Sequence, residues 1–245
     1  MGATAVVIQQ NDAAAKPASS LSRFELLSRY RRFREIGKQH HSAVLKLLAR
    51  DTVISQARRL GLAQGKTLVL DSMNDLNLVF DLLIYTAPEG RSRAIDRYAR
   101  AAQLSPESDE AFVLEAMRSA RFSIISSISR HTAAGLVVKD MFRGCEYWLV
   151  DEGLESSLPV GAMLATRLYL LGDFTITAGV LVPLDMELIE DAIADTPLLL
   201  RKVPEEAIND RHFAEAIYRS AVVSGIWSRS LIETRSRQPV DIGLP

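Results

Sequence analysis

The sequence predicts an α+β protein, with N-terminal helices, a central five-strand antiparallel sheet or small barrel, and C-terminal helices. Three changes of hydrophobic pattern lead to this prediction. Apolar residues recur at helical spacing in 20–120, alternate with polar residues in 121–183, and return to helical spacing in 184–234. The 245 residues are 48% hydrophobic and carry a formal net charge of −1. This composition is typical of a globular protein and excludes whole-chain disorder.

The two ends of the chain lack a hydrophobic period. We expect a flexible tail at 1–19, which is rich in Ala, Gln, Asn and Ser, and a second tail at 235–245. The N-terminal residues do not resemble a secretory signal, so we expect a cytoplasmic protein. The pattern leaves open whether 20–234 forms one compact unit.

The first helices follow directly after the tail. Ser20 or Ser22 is suited to cap a helix whose apolar face carries Leu26, Tyr30 and Phe33. Gly37 predicts a break, with a second helix after it.

The stretch from Thr67 to Tyr85 is the strongest helical signal. Its apolar residues form one stripe at helical offsets, consisting of Val69, Met73, Leu76, Phe80 and Leu83. Because leucines also flank this stripe, we expect a helix in the middle of a bundle. Three aspartates, Asp71, Asp75 and Asp81, argue against a membrane span, where each would cost roughly 2–3 kcal/mol. They either emerge at the rim, pair with an arginine of 91–100, or form a buried functional group.

Period-two alternation predicts five strands in the middle of the chain. They span 121–130, 135–142, 146–151, 162–171 and 174–182. Gly172-Asp173 predicts a two-residue hairpin, and Arg143-Gly144 predicts another tight turn. Short connections favour an antiparallel meander. After the strands, Pro204 is suited to begin one long helix that reaches Trp227.

The strand region, 121–182, also resembles a known segment. The pattern consists of Gly135-Leu136-Val137-Val138-Lys139-Asp140-Met141-Phe142-Arg143-Gly144, Val150-Asp151, Gly161, Ala165-Thr166-Arg167-Leu168, Gly172 and Ala178-Gly179. It resembles the small β-rich segment of some bacterial proteins that carry the SEC-C motif. The resemblance implies a bacterial, cytoplasmic protein of uncharacterised type. Because the SEC-C motif is cysteine-rich and this chain has only Cys145, the resemblance implies no zinc role.

Motifs for catalysis are absent from the sequence. It contains no glycine-rich phosphate loop, no G-x-S-x-G elbow and no H-E-x-x-H zinc motif. Cys145 with His131 lacks a third catalytic member, and His212 with Glu215 is more typical of a solvated helix face than of a metal site. We therefore assign no catalytic residue, metal ligand or cofactor.

One charged residue stands out within the apolar strands. Arg167 needs a partner or exposure, and Asp140 or Asp151 is suited to pair with it across strands. These three residues could also line a small pocket.

The charge distribution suggests a second candidate site. Residues 20–60 have a net charge of +7, and the rest of the chain has −8. Basic and aromatic residues interleave in 29–34, where Arg29, Arg31, Arg32 and Arg34 could contact nucleic-acid phosphates. The same face could dock instead onto the acidic remainder of the chain or onto a second subunit.

Three function classes follow from these observations. The first is a non-enzymatic module that binds a protein or associates with itself, for instance as a homodimer. The second is a regulatory protein that binds nucleic acid through 29–59. The third is an enzyme with a pocket beside the β segment. No membrane association is expected.

Overall fold

The computed structural model describes residues 18–226 and shows an α+β fold. A short 3-10 turn at Ala18–Ser20 precedes the first helix. The helices are α1 Arg23–Leu45, α2 Arg50–Arg59, α3 Met73–Tyr85, α4 Ala94–Ala101, α5 Asp109–Arg118, α6 Glu152–Ser157, α7 Met186–Ala194, α8 Pro197–Leu200, α9 Pro204–Asn209 and α10 Arg211–Ser224. The strands are β1 Ala63–Gln64, β2 Thr67–Leu68, β3 Arg121–Arg130, β4 Leu136–Asp140, β5 Glu146–Leu149, β6 Met163–Leu170 and β7 Thr175–Leu184. No helix within 18–226 is long and apolar enough to cross a membrane.

The five long strands close into a barrel in the order β3-β4-β5-β7-β6, and β6 pairs back onto β3. The prediction of a purely antiparallel meander is wrong, because β5 and β7 are parallel. The cause is α6, which carries the chain across the barrel between β5 and β6 so that β7 returns beside β5. This strand order, with a helix after the third barrel strand, is also that of the OB-fold.

The barrel interior is filled by buried aliphatic side chains from β3, β4, β5 and β6, and the partly buried Leu181 of β7 packs against them. It contains Ile125, Leu136, Val138, Leu149, Leu164 and Leu168, with Leu154 and Leu158 from the α6 region. The outer face of the barrel is covered by helices. Helices α1, α4 and α5 pack in one cluster, α2 packs with the C-terminal helices in another, and α3 contributes buried residues to both clusters. α3 is therefore a central helix, as its all-round hydrophobicity predicts.

Helix α1 continues through Gly37, so the predicted break is wrong. Gly37 is buried, and a Cβ atom placed there would lie 3.9 Å from the Tyr169 ring. Tertiary packing overrides the low helix propensity of glycine at this position. At the start of α1, Ser22 and Glu25 form a reciprocal capping box, which selects Ser22 as the cap.

Helix α3 begins later than predicted, at Met73, because Thr67–Leu68 pairs with Ala63–Gln64 in a small hairpin. Asp75 explains the starting point, since its carboxylate accepts hydrogen bonds from the Ser72 and Asp71 backbone N–H groups. The predicted apolar stripe is not the buried face, because Val69 and Met73 are exposed and Leu76, Phe80 and Leu83 are half-buried. The buried side chains of α3 are instead Asp75, Leu78, Val79, Asp81, Leu82, Ile84 and Tyr85.

The predicted long C-terminal helix is divided at Asp210. The Asp210 side chain accepts a hydrogen bond from the His212 backbone N–H and so starts a new helix, α10. Gly172, with φ of +76°, forms the predicted tight turn between β6 and β7. Trp227 and residues 1–17 and 235–245 lie outside the described residues.

Candidate anion-binding site

Arg167 makes an ion pair with Asp81, which connects the outer face of the barrel to α3. Its Nε donates hydrogen bonds to both carboxylate oxygens, at 2.9 and 2.8 Å, and both side chains are buried. Tyr218 also donates a hydrogen bond to Asp81, at 3.0 Å. The suggested pairing of Arg167 with Asp140 or Asp151 is therefore not formed. The reason is that Arg167 lies on the outer face of β6, where its side chain faces α3.

Electrostatics keeps Arg167 charged in this setting. Burial is the largest single influence and lowers the pKa of Arg167, but the charge and hydrogen bonds of Asp81, together with Tyr218 and Tyr85, outweigh burial and raise the pKa. Burial also raises the pKa of Asp81. The guanidinium lies over two aromatic rings, 4.9 Å from the centre of Tyr85 and 5.5 Å from that of Phe122. Its Nη2 atom is buried and has no hydrogen-bond partner among residues 18–226.

Arg167 lines a cleft of about 360 Å³ in which arginines converge from separate parts of the chain. Five more arginines line it, namely Arg91, Arg93, Arg121, Arg143 and Arg211. Among residues 18–226, Asp210 is the only carboxylate that lines it. We call this feature the arginine cleft. It lies where the loop after α3, the start of β3, the β4–β5 turn and the start of α10 meet.

Two of these arginines are fixed by carboxylates behind the cleft. Arg143 donates to the fully buried Asp140 at 2.8 Å and to the side chain of Asn209 at 2.6 Å. Arg93 donates to Asp96 at 2.7 and 2.9 Å. Asp140, one of the predicted pocket residues, therefore supports the cleft by holding Arg143 and does not itself line it.

The charges of three other arginines are not compensated. Within 18–226, the exposed side chains of Arg91 and Arg121 form no hydrogen bond or ion pair, and Arg211 reaches only the Ala87 carbonyl at 3.4 Å. Asp210 does not neutralise them, because it is bound by Lys202 and His212. Burial raises the pKa of Asp210, but those hydrogen bonds outweigh burial and lower it to about 2. The arginine cleft is therefore strongly electropositive.

The predicted nucleic-acid residues of α1 lie away from the arginine cleft and contact other parts of the fold. Arg31 donates to Glu152 at 3.0 and 2.6 Å, Arg32 pairs with Asp109, and Arg34 donates to the Thr177 carbonyl at 2.7 Å. Arg29 lies over the rings of Phe33 and Phe174. These contacts agree with docking of the basic face onto the acidic remainder of the chain. Nucleic-acid binding by these residues stays a prediction.

The surface that an OB-fold uses for ligands is partly covered in this chain. In that fold, the loops after the first and fourth barrel strands contribute to binding. Here Arg23 of α1 donates to the Ala133 carbonyl in the first of these loops, at 3.1 Å. The Ala18 backbone N–H donates to Asp173 in the second, at 2.6 Å.

The remaining candidate residues are also distant from the cleft or engaged in other contacts. Asp151 caps α6 and accepts a hydrogen bond from the Leu154 backbone N–H at 3.0 Å. His131 stacks on Trp148, and Cys145 is exposed beside a turn. Within 18–226, no three His, Cys, Asp or Glu side chains are grouped as metal ligands.

Sequence reasoning identified Arg167 and missed the other five arginines of the cleft. Arg167 was detectable because a charge interrupts an apolar strand. The others occur at the ends of strands or helices, in turns and in loops, where charged residues are common. They are separated by up to 120 positions along the chain, from Arg91 to Arg211, so no local pattern connects them.

The fold and the site define an α+β protein with a closed, mixed five-strand barrel and an electropositive cleft on its outer face. The model of the Family of unknown function (DUF7986) matches residues 24–221, and the chain belongs to this family. The matched range includes every arginine of the cleft. No curated protein and no solved structure matches the chain.

Proposed function

We propose that the protein binds a small organic molecule that carries a phosphate group, and that the arginine cleft holds this phosphate. The observation that carries the proposal is the convergence of six arginines on one cleft of about 360 Å³, which a single carboxylate of the described residues lines. A guanidinium group can donate two parallel hydrogen bonds to two oxygen atoms of one phosphate group. A bound phosphate would offset the repulsion among the three uncompensated arginines.

Part of the cleft is arranged before any ligand arrives. Arg143 and Arg167 are held by Asp140 and Asp81. Because these side chains are already ordered, binding costs less conformational entropy than it would with free arginines. Arg91, Arg121 and Arg211 are more exposed and would close onto the phosphate from outside.

The remaining wall of the cleft supports an organic ligand rather than inorganic phosphate alone. The rings of Tyr85 and Phe122 and the side chains of Ala120, Ile208 and Ala214 line it. A planar or apolar group could pack here while the phosphate contacts the arginines. The volume of the cleft favours a molecule of nucleotide size over an extended polymer.

The proposal concerns binding and assigns no reaction. In the part of the chain that the structure describes, Asp210 is the only carboxylate that lines the cleft and is already paired, and no histidine or cysteine lines it. Of the three sequence-based hypotheses, the third, which places a pocket beside the β segment, is closest to this proposal. The hypotheses of a protein-interaction module and of a basic face for nucleic acid stay separate predictions.

A calorimetric titration tests the proposal. The probes are pyrophosphate, adenosine 5′-monophosphate, glucose 6-phosphate and, as a phosphate-free control, adenosine. We expect binding of phosphorylated probes only, weakened about tenfold in Arg121→Gln because one charge-assisted contact is lost. Arg100→Gln is the matched control, since Arg100 is exposed and does not line the cleft.

Two results would overturn the proposal. One is the absence of binding by every phosphorylated probe at millimolar concentration. The other is binding that Arg121→Gln leaves unchanged. A short oligonucleotide that binds more tightly than all small probes, and loses affinity in Arg121→Gln, would replace the small molecule with a nucleic acid.

A further inference from the structure

A second cavity lies on the other side of the Asp81–Arg167 pair, between α1, α3 and strands β6 and β7. Its volume is about 230 Å³, and it is largely apolar. The apolar lining includes Phe33, Leu45, Phe80, Ile84, Ile176 and Val180. A cavity of about 150 Å³ is already large enough to hold a benzene molecule. The volume therefore suits a ring or a short branched chain with one additional functional group.

Positive charge at this cavity comes from one face of α1. Arg34 and Lys38 are four residues apart, so they are neighbours on the helix surface, and both line the cavity. Arg34 donates only to the Thr177 carbonyl, so its other N–H donors have no protein partner within 18–226. Lys38 is exposed and 3.5 Å from Glu35. Of the carboxylates in 18–226, only Asp81 lines the cavity, and it is bound to Arg167.

Three polar groups form a hydrogen-bonded cluster in the wall. The Tyr85 and Tyr169 hydroxyls are 2.5 Å apart, and they lie 2.6 and 3.0 Å from His41 Nε2. His41 Nδ1 makes no hydrogen bond within the described residues. The cluster therefore offers one further hydrogen-bonding position to a ligand, through a ring that also lines the cavity.

Two glycines keep the cavity open. Gly37 lies in the middle of α1, where a Cβ atom would meet only the Tyr169 ring at 3.9 Å, so a larger side chain would enter the cavity. Gly179 has φ of +110°, which disfavours any other residue, and the nearest atoms to its missing Cβ are the Arg34 guanidinium nitrogens at 3.9 and 4.0 Å. Open space therefore adjoins the free donors of Arg34.

We infer that this cavity binds a small apolar molecule with one carboxylate, whose charged end contacts Arg34 and Lys38 and whose apolar body fills the space beside Gly37. A single negative charge matches the two cations at the entrance. The apolar lining selects an aromatic or branched aliphatic body. The site is separate from the arginine cleft, and its ligand needs no phosphate.

Thermal-shift and calorimetric titrations with benzoate, phenylacetate and 4-methylpentanoate test this inference. Benzamide is the neutral control for benzoate. We expect at least one carboxylate to bind, and benzamide to bind about tenfold more weakly than benzoate if benzoate is that ligand. Lys38→Gln should weaken binding several-fold, whereas Lys46→Gln, which changes an exposed lysine of the same region, should not.

A second variant tests the location. Gly37→Leu fills the cavity and should abolish carboxylate binding while leaving phosphate binding at the arginine cleft unchanged. The circular dichroism spectrum and the unfolding midpoint report whether the variant is folded, and Lys38→Gln provides the test if it is not. The inference is overturned if none of the three carboxylates binds at millimolar concentration, or if binding survives both Gly37→Leu and Lys38→Gln.

Discussion

Both carboxylate oxygens of Asp81 lie within 2.9 Å of Arg167 Nε, in an ion pair that is almost fully removed from solvent. This pair joins α3 to the barrel and separates the arginine cleft from the apolar cavity, since Arg167 lines the first and Asp81 lines the second. It thereby fixes the innermost arginine of the proposed phosphate site.

Removal of the Asp81 charge should destabilise the protein strongly. Asp81→Asn keeps the shape of the side chain but leaves Arg167 as a buried cation without a counter-charge, and we expect a loss of about 3–5 kcal/mol in the free energy of unfolding. Urea denaturation measures this loss. Asp71→Asn is the control, because Asp71 is exposed just before the same helix. Equal stabilities of the two variants would contradict the role of the pair.

Gly135 and Gly161 should respond differently to alanine. Both have positive φ, of +79° and +83°, but a Cβ atom at Gly135 would lie 2.2 Å from the Leu149 carbonyl oxygen. A Cβ atom at Gly161 would meet nothing within 4 Å. Gly161→Ala should therefore cost only backbone strain, about 1 kcal/mol, and Gly135→Ala at least about 2 kcal/mol more. Comparable unfolding midpoints for the two variants would show that β4 and β5 are less closely apposed there.

Stability should fall on mild acidification because of His41. Burial, together with the nearby Arg34 charge, lowers the pKa of His41 from 6.5 to about 4. The unfolded chain therefore takes up a proton on this imidazole at higher pH than the folded protein does. The contribution of neutral His41 to the free energy of unfolding is fully present above pH 6.5. It is lost as the pH falls towards 4, and the loss reaches about 3 kcal/mol.

The measurement is urea unfolding at several pH values for the wild type and His41→Gln. The variant should show a flatter dependence between pH 6.5 and 4. His131→Gln is the comparison, because burial lowers the pKa of His131 too, but this side chain lies nearer the surface. If His131→Gln flattens the profile more than His41→Gln does, the assignment to His41 is wrong.

The basic face of α1 can be tested separately from the arginine cleft. The sequence-based hypothesis predicts that charge reversal at Arg31, Arg32 and Arg34 abolishes salt-dependent binding to short duplex or single-stranded nucleic acid. Because none of these three arginines lines the arginine cleft, we expect the folded triple variant to leave phosphate binding there intact. Binding to both kinds of oligonucleotide at two salt concentrations measures the first effect, and pyrophosphate titration measures the second.

Local signals in the sequence predicted most of the fold. Strand alternation located the barrel strands, and Ser22, one of the two predicted caps, marks the start of α1. Long-range pairing was not predictable in the same way. Nothing in the sequence of 146–182 predicts that α6 lies between β5 and β6 or that β7 pairs in parallel with β5. This pairing depends on contacts between distant segments.

Helix periodicity was informative but incomplete. In α3 the polar residues Asp75 and Asp81 are buried, whereas Val69 and Met73, two residues of the predicted stripe, are exposed. Asp75 is buried because it caps its own helix, and Asp81 because it binds Arg167. A pattern that counts only apolar residues cannot detect either reason. The arginine cleft was missed for a related cause, since its members come together only through the fold.

The central claim is that the arginine cleft binds phosphate. Its most direct test is a calorimetric titration of pyrophosphate into the double variant Arg91→Gln/Arg121→Gln and into the matched double variant Arg50→Gln/Arg100→Gln. Both remove two exposed arginines, but only the first pair lines the cleft. We predict that the first double variant loses about a hundredfold in affinity and the second keeps the wild-type value at the same salt concentration. Equal affinities of the two double variants would contradict the claim.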